Sequence, residues 1–248
     1  MVEGSTRRRL LREISEQNAS GLPFGPWVDE LDGGQADLPE DAYPAIDGPS
    51  LRAHLTNPAS GEVLTSHGLD LRRMRITGSL DLSGIGLLVP IRFEHCIFDE
   101  AVVLENTHVV GADFPGCRFK KGVRAKGMVA EDALTFKGAR SLGRVDLSRG
   151  LYKGGIDLTA MHIDPHHPAE RVAPGLAVTG AEIWTDLVLD RANIACGFYA
   201  LGTALSGDLL VRGASIRNLD EGCVAVFLDG ATIAGKADFS PTSGDAGG

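Results

Sequence analysis

The stretches LDLRRMRITGS (69–79), LDLSGIGLLVP (80–90), IRFEHCIFDEA (91–101) and VVLENTHVVG (102–111) decide the fold. Each opens with two apolar residues flanking a third. A second pair follows in each: Met74 and Ile76, Ile85 and Leu87, Cys96 and Phe98, Thr107 and Val109. In extended backbone, residues two apart point to the same side, so both pairs turn inward and the residue between them turns out. Segments this short cannot hold a sheet alone. They bury their apolar pairs only by stacking on the same segment one coil below, at about 4.8 Å per coil.

Outward from this stretch the same phase continues. Units begin at Ala112, Val123, Leu134, Val145 and Ile156, resume at Leu176, Leu187, Phe198 and Leu209, and resume again at Val226 and Ala237. The steps are 11 residues with one of 10, except for 20 between 156 and 176 and 17 between 209 and 226, which mark two insertions. One unit makes two sides, so two units close a square coil, and residues 69–239 give about seven coils. Glycines at strand ends (Gly78, Gly122, Gly143, Gly155, Gly207, Gly235) suit corners that need positive φ. The fold class expected is all-β: a right-handed quadrilateral β-helix solenoid with a short helical N-terminal cap. An antiparallel sandwich has longer strands and no fixed 11-residue phase.

The units GSLDLSG (78–84), IRFEHCIF (91–98), GRVDLSRG (143–150) and GDLLVRGASI (207–216) resemble pentapeptide-repeat proteins. More specifically, they resemble the β-helical proteins of actinobacteria commonly labelled membrane-associated oxidoreductase. The resemblance covers about residues 69–239 and implies a β-helical architecture. The label implies redox activity, for which the chain carries no matching motif. Standard pentapeptide repeats run in fives, whereas this chain alternates five and six, which makes the gyrase-directed members a more distant comparison.

The remainder of the chain reads as four pieces: an N-terminal helix over 1–20, with Ser5 as N-cap and Leu10, Leu11 and Ile14 on one face; an acidic Pro/Gly linker over 21–48; a helical cap over 49–68; and a disordered tail over 241–248, after the solenoid at 69–240. The net charge of −9 is local. Residues 21–50 hold seven acids and no base, while residues 51–248 hold 20 bases and 23 acids. No basic domain of the kind that neutralises nucleic-acid phosphates is expected. No apolar run approaches the ~20 residues of a transmembrane helix, and the arginines near the N-terminus precede no apolar export core. Cys96, Cys117, Cys196 and Cys223 form no CxxC pair and read as reduced thiols of a cytoplasmic protein.

Stacking converts outward positions into columns. One column reads Arg75, Ile97, Arg118, Arg140 and His162 and runs into the first insertion, Asp164–Gly175, which holds His166 and His167. Arg75, Arg118 and Arg140 are candidates for binding a small anion or an acidic protein. The alternative is a solvated stripe paired with Asp113 and Asp157. For an enzyme, His162 or His166 would supply the acid or base and Arg140 would fix a carboxylate. The cluster His162, Asp164, His166 and His167 has possible metal spacing but reads as a solvated loop, so neither a metal nor a cofactor is expected. Cys96 and Cys117 share an inward column and read as packed thiols.

A second pattern lies in the strand centres. They are mostly polar early (Asp70, Asp81, Arg92, Asp113, Arg124) and apolar late (Ala177, Val188, Tyr199, Leu210, Phe227). Val188, Leu210, Tyr199 and Phe227 are candidates for a homodimer contact through the C-terminal coils. Cover by the second insertion or by the N-terminal helix remains the alternative. The chain has no GxGxxG opening a helix, Walker A, HExxH or GxSxG. A non-catalytic interaction scaffold is the leading expectation, and an enzyme at the 164–175 insertion the second.

Overall fold

The computed structural model describes residues 39–56, 68–165, 173–218 and 224–241. The chain forms a parallel β-helix whose short strands stack into four sheets, of eight, eight, seven and seven strands. The first coil shows the plan. It runs through β2 (Leu69–Arg72), β3 (Arg75–Thr77), β4 (Leu80–Asp81) and β5 (Gly86–Leu87), and then returns to β6 (Ile91–Glu94) directly above β2. These four positions define faces one to four in chain order. Faces one and three are therefore opposite, as are two and four. Every pairing is parallel and in the phase set by the repeat: Leu69 sits under Ile91, Arg75 under Ile97, Leu80 under Val102 and Gly86 under His108.

The inward positions make one continuous apolar core, from Leu69 and Met74 through Phe93, Phe114 and Leu134 to Leu187 and Leu209. Aromatics are few but concentrated. Phe93, Phe114 and Phe136 stack on successive coils of face one, with ring centroids 5.5 and 5.1 Å apart. Phe98 and Phe119 stack beside them on face two at 5.0 Å. Polar side chains in the core are paired at once: Thr107 donates to Leu82 O at 2.7 Å, Thr203 to Val178 O at 2.9 Å, and Tyr152 Oη to Leu147 O at 2.9 Å. Burial pushes the Tyr152 phenol far above its usual range, so it serves as a neutral donor. At several corners an outward Asp closes the turn by accepting the N–H two residues on: Asp81 from Ser83, Asp146 from Ser148, Asp157 from Thr159 and Asp238 from Ser240.

The corner glycines divide into two kinds. Gly78, Gly122 and Gly155 have positive φ, as expected. Gly143, Gly207 and Gly235 do not. They are needed because the corner one coil below comes too close: a Cβ on Gly143 would lie 2.4 Å from the Lys121 carbonyl carbon, and one on Gly207 would lie 2.4 Å from Thr185 O.

The N-terminal end is closed. Strand β1 (Ala45–Asp47) pairs beneath β3 on face two, inside the segment read from sequence as linker. Helix α1 (Gly48–Thr56) follows, with Leu51 and Leu55 buried. Asp47 caps it, accepting the Ser50 N–H at 2.9 Å. Arg52 reaches up to Asp81 at 3.4 Å. The C-terminal end is different. The inward residues Val226, Leu228 and Ile233 of the last coil are only partly buried, and Phe239 is 52% exposed.

Both insertions leave from the same edge. Each lies between a strand of face two (His162–Ile163 or Ser215–Arg217) and the next strand of face three (Leu176–Ala177 or Val226–Phe227). No helix among the described residues is long and apolar enough to cross a membrane.

Candidate functional site

Face two assembles the expected column. Arg75, Ile97, Arg118, Arg140 and His162 are aligned in register on consecutive coils. Arg140 and His162 are thus direct neighbours, about 5 Å apart along the stack. Arg140 is exposed and His162 half-buried. His166 and His167, the further histidines of that reading, lie outside the described residues, as do the helix expected over 1–20, with Ser5, and Cys223. Among the described residues no group of three or more His, Cys, Asp or Glu is placed to hold a metal ion.

The lower end of the column is already neutralised. Arg75 Nε lies 2.8 Å from Asp99 Oδ2, Lys120 Nζ lies 2.9 Å from Asp99 Oδ1, and Lys120 also binds Glu40. Burial works to raise the Asp99 pKa, but hydrogen bonds from Lys120 and Arg75 outweigh it and hold the carboxyl below its usual range. Glu40 belongs to residues 39–44, which cross face two. Pro44 O accepts the Arg75 N–H at 2.9 Å at one end, and Glu40 meets Lys120 at the other. Between these ties sits Ile97, outward in the repeat yet fully buried. The expected pairing of the column with Asp113 and Asp157 does not occur. Both acids belong to face one, where Asp113 meets Arg92 at 2.8 Å and Asp157 meets Lys137 at 2.9 Å. The partner of Arg75 comes instead from the corner after the next strand of its own face, a position the strand-centred columns leave out.

The apolar strand centres also fall where the phase puts them. Val188 lies under Leu210 on face one, and Ala177, Tyr199 and Phe227 follow one another on face three. Because these faces are opposite, the two groups form separate patches. Val188, Leu210, Tyr199 and Phe227 are half-buried, and the Tyr199 and Phe227 rings stack at 5.6 Å. The more exposed apolar side chains are Leu88, Trp184, Val224 and Phe239, which a reading confined to strand centres overlooks. Leu88 and Trp184 sit at corners. Phe239 occupies an inward position with no further coil above it among the described residues. Trp184 carries Lys153 Nζ 5.3 Å from its ring centroid, and Lys153 also binds Glu131.

Cys96 and Cys117 are free thiols, fully buried on successive coils of one inward column. They donate to Leu71 O at 3.4 Å and Phe93 O at 3.1 Å. Burial pushes the Cys117 thiol up, which makes it a packing group rather than a nucleophile.

Comparison with known proteins found no matching family model, no matching curated protein and no matching solved structure.

Proposed function

We propose that the chain is a non-catalytic interaction scaffold of the pentapeptide-repeat-like type, kin to the β-helical proteins of actinobacteria, and that it works in the cytoplasm as a homodimer joined through its C-terminal coils. The observation that carries this is the contrast in how the apolar side chains are covered. Inward residues from Leu87 to Val211 are buried, while Phe239, Ile233 and Leu228 of the last coil are left partly open. Burial of apolar surface against a second copy completes that coil. Val188 and Leu210 on one side, and Tyr199 and Phe227 on the other, flank the open end and belong to the rim of the contact. The buried thiols of Cys96 and Cys117, not joined in a disulfide, accord with a reducing compartment. Light scattering tests the reading: the wild-type chain should have the mass of a dimer, and Phe239→Asp combined with Leu210→Asp should be monomeric. A monomeric wild type defeats it.

A second reading has one observation in its favour, the adjacency of Arg140 and His162 beside the first insertion. In an enzyme of the kind the oxidoreductase label suggests, His162 or His166 acts as acid or base and Arg140 holds a carboxylate or another small anion together with Arg118. Any turnover found should fall at least about 100-fold in His162→Ala or His166→Ala. Unchanged turnover in both variants removes the assignment.

A further inference from the structure

The net acidity of the chain conceals a local excess of the opposite sign. Residues 118–153 carry ten Lys and Arg against three acids. Elsewhere most bases are matched: Arg72 with Asp70, Arg92 with Asp113, Arg212 with Asp190. Within this stretch Lys121, Lys126, Arg140, Arg144 and Arg149 make no ion pair with a described residue.

The coil places these bases side by side. Lys121 and Arg144 lie at the corner between faces two and three, on successive coils. Arg124 is the outward residue of face three, above Val103 and below Asp146. Lys126 and Arg149 follow at the corner between faces three and four. Arg140 continues the row back onto face two, where it pairs in register with Arg118. The result is a cationic belt, two coils or about 10 Å high, that runs across face three and around both of its corners. Asp146 lies within it but turns Oδ1 to the Ser148 N–H at 3.0 Å. One coil below, Glu100 and Glu105 occupy the positions under Lys121 and Lys126. One coil above, face three turns apolar at Ala177 and then Tyr199.

We propose that this belt binds an extended acidic segment of a protein partner, laid parallel to the strands of face three. The proposal rests on the scaffold reading and names its partner. Two features of the site select that chemistry. A carboxylate is already held at its edge, where Glu40, in the 3-10 turn Glu40–Ala42, meets Lys120 beside Lys121. The belt is bounded: double-stranded nucleic acid presents a charge about every 1.7 Å along its axis, and such a line would run off a belt this narrow onto Glu100 and Glu105.

The test uses the full chain and a fluorescently labelled Glu-rich peptide of about ten residues, enough at roughly 3.3 Å per residue to cross one face and both corners. Anisotropy at low salt should show binding that weakens as salt rises. The triple variant Lys121→Gln/Arg144→Gln/Arg149→Gln should weaken it about tenfold or more, because unpaired charges facing a ligand carry the attraction. Arg92→Gln/Lys137→Gln/Lys153→Gln removes the same formal charge from paired positions elsewhere and should change it less than about twofold. Equal weakening in both variants, no binding by the wild type, or tighter binding of duplex DNA than of the peptide overturns the proposal. Light scattering on the same samples reads the dimer separately, so failure of self-association and failure of the belt are told apart.

Discussion

The early coils, residues 69–165, and the late coils, residues 173–241, are built on one repeat and put it to different uses. In the early coils the core holds the phenylalanine stacks, and the outward ladders are ionic, as in Arg72 with Asp70 and Glu94, and Arg92 with Glu94 and Asp113. In the late coils Phe198 is the large buried aromatic, the strand centres turn apolar, and the last inward residues are partly open. A solenoid is stabilised mainly between nearest neighbours, so each coil's contribution depends on what lies directly above and below it. An interior coil has neighbours on both sides and can devote its outer surface to charge. A terminal coil has one neighbour, and its apolar side chains are left partly uncovered. The N-terminal end escapes this because α1 and β1 supply the missing neighbour.

That contrast can be broken, most severely at its centre. Phe114 lies between Phe93 and Phe136, and Phe114→Ala should cost ~3–5 kcal/mol in urea unfolding. Ile233→Ala, in the open coil, should cost about 1 kcal/mol or less in the monomer, since less area is withdrawn from water there. Similar losses at the two positions would erase the distinction. Next comes the corner test. Gly143→Ala forces a Cβ against the Lys121 backbone and should cost roughly 1–3 kcal/mol, whereas Gly84→Ala meets nothing within 4 Å and should cost only the left-handed backbone penalty of ~1 kcal/mol.

The smallest effect concerns the ionic side of the comparison. The Asp99 pKa is lowered in the folded state, so its stabilisation is present above the unfolded carboxylate pKa and is lost as pH falls through the folded value. Asp99→Asn should therefore flatten part of the acid limb of the stability curve and cost about 0.5–1 kcal/mol at neutral pH, a modest figure because the cluster is partly solvated. Exchange of the amide protons in β1 measures the same tie locally, since Asp99 joins Arg75 and Lys120, the two residues that pin the segment leading into that strand.

Most of the scaffold was legible because alternation with a fixed phase has few physical solutions. The stripes from Arg75 to His162 and from Ala177 to Phe227 followed directly from counting. Three things resisted. Strand β1 is three residues long and carries no repeat, so only its pairing beneath Arg75, Ile76 and Thr77 identifies it. Strand-end position alone suggests positive φ at Gly143, Gly207 and Gly235, whereas the constraint there is the approach of the coil below, which sequence does not display. The belt escaped because whole-segment charge totals average it away, and because Lys121, Lys126, Arg144 and Arg149 occupy corners that the strand-centred columns leave out. Reading corner positions as columns in their own right would have found it, along with Trp184.

The shared exit point of the two insertions gives this molecule the properties of a ruler. Extra chain is tolerated at one edge without disturbing the coils above or below. The two departures are separated by two coils, hence by about 10 Å along the axis. A foreign peptide spliced at either place would be displayed on the same side at a known height, and the distance between two such grafts would be set in whole steps of the backbone stack rather than by a flexible tether.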